Sequence, residues 1–512
     1  MRKLLKILFS RYAISAFLLL LELGLICVFL FELSYYSVYF LIAVIAINAL
    51  SLVAVINEEG NPEYKLTWMA VVLLVPLFGT VLFLMFKRRR MSRREVRRLR
   101  LIGEELLEYP ESHDAFSDLG EENSLAAGKA MAIVDMDGCA EVYRGTVSSY
   151  FRLGEDMYES MLKDLSEAKS FIFLEYFIID KGEMWDGIYG ILRSKVKEGV
   201  EVRVMYDDIG CMSTLPYRFD RMLAEQGIKC QKFSRVSADI RNMHSNNNRD
   251  HRKICIIDGR VGYTGGINIA DEYINRRERF GHWKDTGIRL EGEAVRGLCR
   301  LFLSLWELTS GEREKYGGFL NTGAGQNSDG GYYIPFGSGP RPMYAHQVGK
   351  RTFLDIINQA EQYVYITTPY LIIDFDLSEA LRGAALRGVD VRIITPAKAD
   401  KPMVKVMTKS SYPHLMESGV KIYEYTPGFI HSKTLACDDR YAVIGTINLD
   451  YRSLVHHFED GVWMYMSPTV IDIRRDFLST MAQSHRMTKD EARLNLFEWA
   501  VRCGIRLFAP LL

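Results

Sequence analysis

The sequence predicts an α/β fold in which two homologous α/β halves form one pseudo-twofold domain, preceded by an N-terminal region of transmembrane helices. Three observations predict it. Four sequence blocks recur in the same order in two halves of the polar region. Each half alternates short β-branched strands with helical segments, as in an α/β fold with a covered sheet. Three apolar stretches of about twenty residues precede both halves.

The apolar stretches are each about as long as a helix that crosses a bilayer core, and they cover residues 12–33, 35–56 and 66–86. A cleaved signal peptide is the alternative for the first stretch, because four basic residues lie in the first eleven. The length of the apolar run, Glu22 within it and the lack of a small-residue cleavage site argue against cleavage. We therefore predict a membrane anchor over residues 1–100, with two to three apolar helices and a basic run.

The basic run at residues 87–100 holds nine Lys or Arg against the single Glu95 and is expected to be cytoplasmic. The basic N-terminus should also be cytoplasmic, and three spans cannot place both ends on one side. One stretch is therefore re-entrant or interfacial, or one basic flank is translocated; Glu22 makes the first stretch the weaker candidate to span. Beyond fixing topology, the run can attract anionic headgroups, at about 1 kcal/mol per basic residue. We predict a multi-pass protein of the cell membrane with its catalytic domain on the cytoplasmic face.

The duplication defines the domain boundaries. SFIFLEYFIID, GVEVRVMYDDIG, GIKCQKF and HRKICIIDGRVGYTGGINI recur as YVYITTPYLIID, GVDVRIITPAKAD, GVKIYEY and HSKTLACDDRYAVIGTINL. A period of about 190 residues is too long for a solenoid unit and indicates two homologous repeats. We predict a linker at 101–145, a first repeat at 146–316, a Gly-rich linker at 317–335, a second repeat at 336–485 and a C-terminal amphipathic helix at 486–512.

Composition excludes several classes of function. Lys plus Arg and Asp plus Glu both number 64, so the net charge gives no argument for a nucleic-acid partner. The eight Cys include no C-x-x-C pair, which argues against a zinc cluster or a disulfide framework. Asp207 and Asp208 are adjacent in a predicted strand and face opposite ways, so they do not form a metal pair. We expect no metal and no cofactor.

The candidate catalytic residues come from one spacing that occurs twice: His251, Lys253, Asp258 and His431, Lys433, Asp438. Positions i and i+2 of a strand share a face, so each His can project with its Lys into a common cleft. One imidazole can attack phosphorus, the other can protonate the leaving alkoxide, and the lysines can neutralise the non-bridging oxygens. The two aspartates sit at strand ends before turns, and within this set we expect them to be structural.

A second cluster follows each motif and supplies candidate phosphate-binding residues: Gly266, Asn268, Thr446 and Asn448. Glycines permit close backbone approach, and amide or hydroxyl groups can donate to phosphate oxygens. Each imidazole also needs an acceptor that orients it. Asp285 and Glu459 follow the two clusters and are our candidates for orienting the histidines.

A single H-x-K in a strand is most often an ordinary structural feature, but the full spacing occurs here twice in a duplicated frame. The motifs resemble the phospholipase D superfamily signature, H-x-K-x4-D followed by a Gly-rich turn and Asn. Within it, NRDHRKICIIDGRVGYTGGINIADEY, HWKDTGIRLEG, ITTPYLIID, RGVDVRIITPAKAD, GFIHSKTLACDDRYAVIGTINLDYRS and RLFAPLL resemble the bacterial cardiolipin synthases, and NPEYKLTWMAVVLLVPLFG is similar to their N-terminal module. Where those proteins usually have Leu-Asn before Phe-Glu, this chain has His456 and His457.

The resemblance implies two phospholipase D-like repeats and a reaction in which two phosphatidylglycerol molecules give cardiolipin and glycerol through a phosphatidyl-histidine. By analogy, His251 is the nucleophile and His431 the acid. A phospholipid hydrolase, another phosphatidyltransferase and a pseudoenzyme remain alternatives, because the superfamily fixes only the phosphoryl chemistry. The membrane anchor favours a lipid substrate over the nucleic acid of a nuclease.

Overall fold

The computed structural model describes residues 37–58, 61–86, 93–107, 115–234, 248–320, 327–341 and 343–506, together with Gly24. The rest of the first apolar stretch and residues 87–92 of the basic run therefore lie outside the described residues. The same holds for residues 321–326 of the predicted Gly-rich linker and for residues 507–512.

Three helices follow one another in the N-terminal region: α1 (Ser37–Ile56), α2 (Pro62–Leu74) and α3 (Pro76–Phe86). Within the described residues, one helix, Val38–Ile56, is long and apolar enough to cross a membrane. The third apolar stretch differs from the prediction of a single span, because it is divided between α2 and α3. Proline lacks an amide proton and disfavours helical backbone in the residue before it, and Val75 accordingly has φ −137° and ψ 80°.

Helices α2 and α3 form an antiparallel hairpin. Trp68 and Phe83, at nearly equal distances from the break, have ring centroids 5.6 Å apart. A Cβ on Gly79 would lie 2.5 Å from the carbonyl oxygen of Val71, so the two helices can approach this closely because residue 79 is glycine. At about 1.5 Å per residue, helices of 13 and 11 residues reach about 20 and 17 Å, less than a bilayer core of about 30 Å.

The first repeat contains a sheet with strand order β1-β8-β6-β5-β2-β3-β4. The strands of this repeat are β1 (Thr146–Phe151), β2 (Phe171–Tyr176), β3 (Glu201–Asp207), β4 (Lys229–Phe233), β5 (Lys253–Ile257), β6 (Val261–Gly265), β7 (His282–Lys284) and β8 (Gly287–Gly292). Strands β2, β3 and β4 are parallel, whereas β5 and β6 run antiparallel to their neighbours.

The second repeat contains a sheet with strand order β19-β13-β12-β10-β15-β16-β18-β9, which matches the first sheet strand for strand and adds β19 at one edge. The strands of this repeat are β9 (Tyr332–Ser338), β10 (Tyr363–Thr367), β11 (Leu371–Ile372), β12 (Asp390–Pro396), β13 (Lys421–Tyr425), β14 (Gly428–Ile430), β15 (Thr434–Cys437), β16 (Tyr441–Gly445), β17 (Leu449–Asp450), β18 (Glu459–Tyr465) and β19 (Ser484–Arg486). The predicted α/β fold of two homologous repeats is confirmed.

Helices cover the sheets, and their bounds are α4 (Arg93–Leu107), α5 (Ala115–Glu122), α6 (Ser124–Asp137), α7 (Gly154–Ser166), α8 (Glu183–Lys197), α9 (Phe219–Ala224), α10 (Val295–Ser310), α11 (Gly317–Leu320), α12 (Val348–Asn358), α13 (Phe375–Leu386), α14 (Pro402–Ser410), α15 (Tyr412–Glu417), α16 (Pro468–Ala482), α17 (Lys489–Ala492) and α18 (Leu496–Arg506). Two short turns complete the elements, a 3-10 helix at Asp271–Ile274 and a π-helix at Arg452–His456.

The core is shared between the repeats. In β2, Phe171 and Phe173 face a cluster that also contains the interior of the second sheet, whereas Ile172 and Leu174 face a separate cluster on the outer side. This alternation follows from the two-residue period of a strand. All four side chains are at most 1% exposed, and burial of each contributes about 1.5–3 kcal/mol. The common cluster holds the two repeats together as one catalytic domain.

Two predicted linkers differ from the structure. Residues 101–145 include the end of α4 and all of α5 and α6, and α6 buries Ala126, Ala130 and Ile133 on one face. Apolar residues occur on all sides of α6, so the segment lacks the one-sided apolar pattern that predicts a helix, and its helices were missed. In the Gly-rich stretch, residues 317–320 form α11 and β9 begins at Tyr332. The predicted C-terminal helix at 486–512 comprises the short α17 and then α18, where its description ends at Arg506.

Candidate active site

Two backbone bridges between the repeats position the candidate histidines. The His251 N–H donates to the Phe458 carbonyl over 2.8 Å, and the His431 N–H donates to the Lys284 carbonyl over 2.8 Å. The second bridge continues the parallel pairing of β7 with β14. Phe458 and Lys284 directly precede Glu459 and Asp285, so each histidine lies beside the carboxylate of the other repeat.

The side chains pair across the same two bridges. His251 Nδ1 lies 2.9 Å from Glu459 Oε2, and His431 Nδ1 lies 2.7 Å from Asp285 Oδ2. Both carboxylates are completely buried. A carboxylate that holds Nδ1–H fixes the imidazole tautomer and leaves Nε2 for chemistry. The structure thus brings both predicted orienting residues into contact with the predicted histidines, each one across the pseudo-twofold axis.

The two motif lysines lie next to the histidines, as the i, i+2 spacing predicts. Lys253 Nζ donates to the carbonyl of His251 over 2.6 Å, and Lys433 Nζ lies 2.8 Å from His431 Nδ1. Burial lowers the pKa of Lys253 to about 8 and that of Lys433 to about 7, although buried carboxylates around them oppose the shift. In their protonated forms the two lysines can neutralise the oxygens of a phosphodiester.

Burial also sets the charge state of the two imidazoles. Desolvation and then the neighbouring Lys253 lower the pKa of His251 well below its ordinary value. Desolvation and Lys433 lower the pKa of His431 to about 4, against the opposing effect of Asp285. Both rings are therefore neutral near pH 7 without substrate.

The candidate phosphate-binding residues mostly contact other groups of the protein, and their binding of phosphate stays a prediction. A Cβ on Gly266 would lie 2.1 Å from Asp285 Oδ1, so the glycine makes room for the orienting carboxylate. Thr446, at the equivalent place in the second repeat, donates to Glu459 Oε2 over 2.5 Å. Asn268 accepts from the Ile178 N–H and donates to a tyrosine hydroxyl. Of the four, Asn448 keeps a side-chain oxygen with no hydrogen-bond partner among the described residues.

The motif aspartates lie at the far ends of their strands, away from the histidines. Asp258 accepts from the N–H groups of residues 169, 170 and 171 over 2.7–2.9 Å. Asp438 accepts from those of residues 361, 362 and 363 over 2.8–2.9 Å. Both have positive φ, 54° and 55°, in the turn after the strand. They cap the start of the neighbouring strand, which agrees with the structural role expected for them within the candidate set.

Sequence reasoning missed the rings that pack on the imidazoles. Phe177 lies 4.9 Å from His251 and Tyr273 lies 5.6 Å from His431, measured between ring centroids. Ser453, after the second Asn cluster, donates to Glu459 Oε1 over 2.6 Å and helps to fix that carboxylate. Phe177 and Tyr273 follow strands β2 and β6, and Ser453 lies within the π-helix. None of the three belongs to a sequence motif that could have identified it.

Comparison with known proteins agrees with this geometry. The family model described as "Cardiolipin synthase, PLD-like domain" matches residues 161–283 and 353–481, and the one described as "Phospholipase_D-nuclease N-terminal" matches residues 46–88. A cardiolipin synthase of Halalkalibacterium halodurans is 32% identical over 483 residues, which cover 93% of this chain and 94% of that protein.

The chain belongs to the phospholipase D-like cardiolipin synthase family. Cardiolipin synthase 2 of Bacillus anthracis is 33% identical over 456 residues, covering 89% of this chain and 88% of that protein. A crystal structure of phosphatidylserine synthase from Haemophilus influenzae aligns with a TM-score of 0.53 at 15% identity, over 71% of this chain and 93% of that one, and so shares the fold. The predicted family and the prediction of a phospholipase D-like phosphatidyltransferase are confirmed.

Proposed function

We propose that this enzyme is a cardiolipin synthase that transfers a phosphatidyl group from one phosphatidylglycerol molecule to another, giving cardiolipin and glycerol. The observation that carries the proposal is the pair of imidazole–carboxylate contacts, each made across the two repeats, with two buried lysines beside them. Full-length relatives named cardiolipin synthase support the choice of substrate.

The reaction proceeds in two displacements at phosphorus. His251 Nε2 attacks the phosphodiester, the bond from phosphorus to the glycerol headgroup breaks, and the departing glycerol oxygen takes a proton from His431. A terminal hydroxyl of the second phosphatidylglycerol then gives its proton to His431 and attacks phosphorus, which breaks the bond to His251. One phosphodiester replaces another, so no energy-rich nucleotide is needed.

The surroundings of the two rings support this division of roles. The lysines and His457 lower the pKa of His251 further than burial alone, and a ring that stays neutral keeps its lone pair for attack. Asp285 opposes the same lowering at His431, and a ring that gains a proton as the phosphate binds can act as the acid. Asn448, whose side-chain oxygen has no hydrogen-bond partner among the described residues, remains our candidate for contact with substrate.

The hairpin of α2 and α3 supports a topology with both basic flanks in the cytoplasm. A hairpin shorter than the bilayer core enters and leaves on one face, so residues 62–86 add no crossing. If the rest of the anchor crosses the membrane an even number of times, the N-terminus, the basic run and the catalytic domain share the cytoplasmic side. The anchor then holds the catalytic domain beside its lipid substrate at high effective concentration.

The experiment that tests the proposal uses the full-length protein, in vesicles that contain phosphatidylglycerol labelled in its headgroup glycerol. We expect cardiolipin and free glycerol in equal amounts, with loss of both in His251→Ala and His431→Ala. His414→Ala, at a half-exposed position in the second repeat, is the matched control and should retain activity. Phosphatidic acid as the sole lipid product would establish a hydrolase instead.

A lipid with a good leaving group separates the two histidines. With phosphatidyl-p-nitrophenol, release of the nitrophenolate needs no acid, so His431→Ala should give a burst of about one nitrophenolate per enzyme whereas His251→Ala gives none. The converse result would exchange the roles. Mapping of the phospho-histidine after acid-free quenching identifies the nucleophile directly.

A further inference from the structure

A third imidazole lies inside the active site and is not used by the proposed reaction. His457 packs beside His251 with ring centroids 5.6 Å apart, and its Nδ1 lies 3.8 Å from Glu459 Oε1. One potential ligand atom from each of His251, His457 and Glu459 lies within 4.8 Å of the others. The three side chains are 9%, 12% and 0% exposed, so the cluster is enclosed.

The local backbone places this ring. The π-helix Arg452–His456 ends directly before it, and the His457 N–H donates to the carbonyl of Arg452 over 2.9 Å, an i to i−5 bond. The extra residue in a π-turn changes the direction of the side chains that follow, and such turns are frequent at functional sites. The first repeat has a 3-10 helix at Asp271–Ile274 in its place.

The pseudo-twofold axis provides the comparison that separates packing from chemistry. His457 stands two residues before Glu459, and Trp283 stands two residues before Asp285. Trp283 packs on His431 at 5.7 Å between ring centroids, much as His457 packs on His251. A ring is therefore sufficient for packing at this position. In the second repeat, however, the ring carries a nitrogen lone pair that indole lacks.

We propose that His251, His457 and Glu459 form a binding site for a divalent transition-metal ion of the Zn²⁺ type, and that the bound ion inhibits the enzyme. Two imidazoles and one carboxylate are a donor set that Zn²⁺ takes, with a fourth position open to water. Ser453 and Thr446 donate to the two oxygens of Glu459 and orient the carboxylate as partners of metal ligands do. Lys253, beside His251, opposes the ion and limits its affinity.

Inhibition follows because a neutral imidazole has one nitrogen lone pair available, and the bound ion would occupy that of His251. A coordinated His251 cannot attack phosphorus, and an ion on Glu459 removes the acceptor that orients the ring. This consequence rests on the proposed function, whereas binding of the ion does not. Mg²⁺ and Ca²⁺ prefer oxygen ligands and should neither bind here nor inhibit at the same concentrations.

Binding is tested with the full-length protein in detergent, purified without a histidine tag and titrated with Co²⁺. We expect visible absorption bands of a tetrahedral or five-coordinate site, saturating near one ion per chain and displaced by Zn²⁺. His457→Phe keeps a ring at the position but removes the ligand, and should weaken Co²⁺ binding at least about 10-fold. His457→Gln serves as a second variant if the phenylalanine alters the thermal unfolding curve.

The controls separate this site from other histidines. His431→Ala, which lies outside the cluster, and the half-exposed His485→Ala should both bind Co²⁺ as the unsubstituted protein does. Equal Co²⁺ binding in both His457 variants and the unsubstituted protein would overturn the site. Normal binding without loss of phosphatidyl transfer in the presence of Zn²⁺ would overturn the inhibition. If the protein binds Co²⁺ through His457 but makes no cardiolipin, the metal site stands and the proposed function fails.

Discussion

Substitution of the motif aspartates distinguishes residues that stabilise the fold from residues that take part in the reaction. Asp258 and Asp438 each accept three backbone N–H bonds at the start of the neighbouring strand, and each holds a positive φ. Replacement by Ala removes the bonds and places an unsuitable residue in the left-handed region. Replacement by Gly removes the bonds alone, and Asn keeps the backbone preference and part of the bonding.

The expected loss of stability is the sum of the hydrogen bonds that are removed and the cost of the positive φ. A net value of about 1 kcal/mol for each of three bonds, and about 1 kcal/mol for positive φ, predicts a loss of about 4 kcal/mol for Asp438→Ala. Asp438→Gly should lose about 3 kcal/mol and Asp438→Asn about 1–2 kcal/mol. Asp258 is more exposed, and water can replace part of its bonding, so the same series there should be smaller. A domain of about 400 residues loses about 1 °C of Tm per kcal/mol.

Thermal unfolding in detergent and phosphatidyl transfer per folded molecule measure the two effects separately. We expect the order Asn, Gly, Ala in loss of Tm, with kcat/KM of the folded fraction within about threefold of the unsubstituted enzyme, because neither aspartate contacts an imidazole. Loss of activity at an unchanged Tm would refute a framework role and place these carboxylates in the reaction.

Three further predictions concern the site and its support. Glu459→Gln and Asp285→Asn should each lower kcat about 10²–10⁴-fold with little change in KM, as measured by initial rates of cardiolipin formation; a change in KM alone would contradict the orienting role. Gly266→Ala should displace Asp285 and lower kcat at least about 10-fold, whereas Gly128→Ala, with open space around it, should leave activity unchanged and raise Tm slightly. Burial raises the pKa of Asp137 from 3.8 to about 6. The unfolded chain therefore loses this proton at a lower pH than the folded chain, and up to about 3 kcal/mol of stability is lost as the pH rises from 3.8 to 6. Urea unfolding should show a flatter pH dependence for Asp137→Asn, and identical pH profiles would contradict this.

The fold was predictable because the duplicated blocks coincide with strands. The β-branched runs at β2, β3 and β5 recur at β10, β12 and β15, and a two-residue period places His and Lys of each motif on one face. The length of the apolar stretch did not predict the hairpin. Trp68 and Phe83 contribute the same hydropathy whether they lie in one membrane span or in two shorter helices. Its signal was Pro76, read together with the odd number of apolar stretches.

The residues of the site were easier to predict than the contacts between them. Asp285 and Glu459 could be chosen because they follow the motifs in equivalent places, but which histidine each one contacts depends on the bridges at Phe458 and Lys284. Such bridges join segments far apart in sequence, and no local pattern records them. Gly266 shows the same limit, since its role depends on a carboxylate that only the folded chain brings to it.

The contacts between the repeats explain why each repeat needs the other to complete the site. Each histidine takes its orienting carboxylate from the other repeat, so either half alone has an imidazole without its partner. The duplication also allows the halves to diverge: Gly266 makes room for the Asp285 carboxylate, whereas Thr446 donates a hydrogen bond to Glu459. Thr446 and Ser453 donate to the two oxygens of Glu459, whereas Asp285 accepts from the backbone N–H of Thr286. The two histidines therefore have carboxylate partners with different surroundings, as the proposed division of roles between a nucleophile and an acid requires.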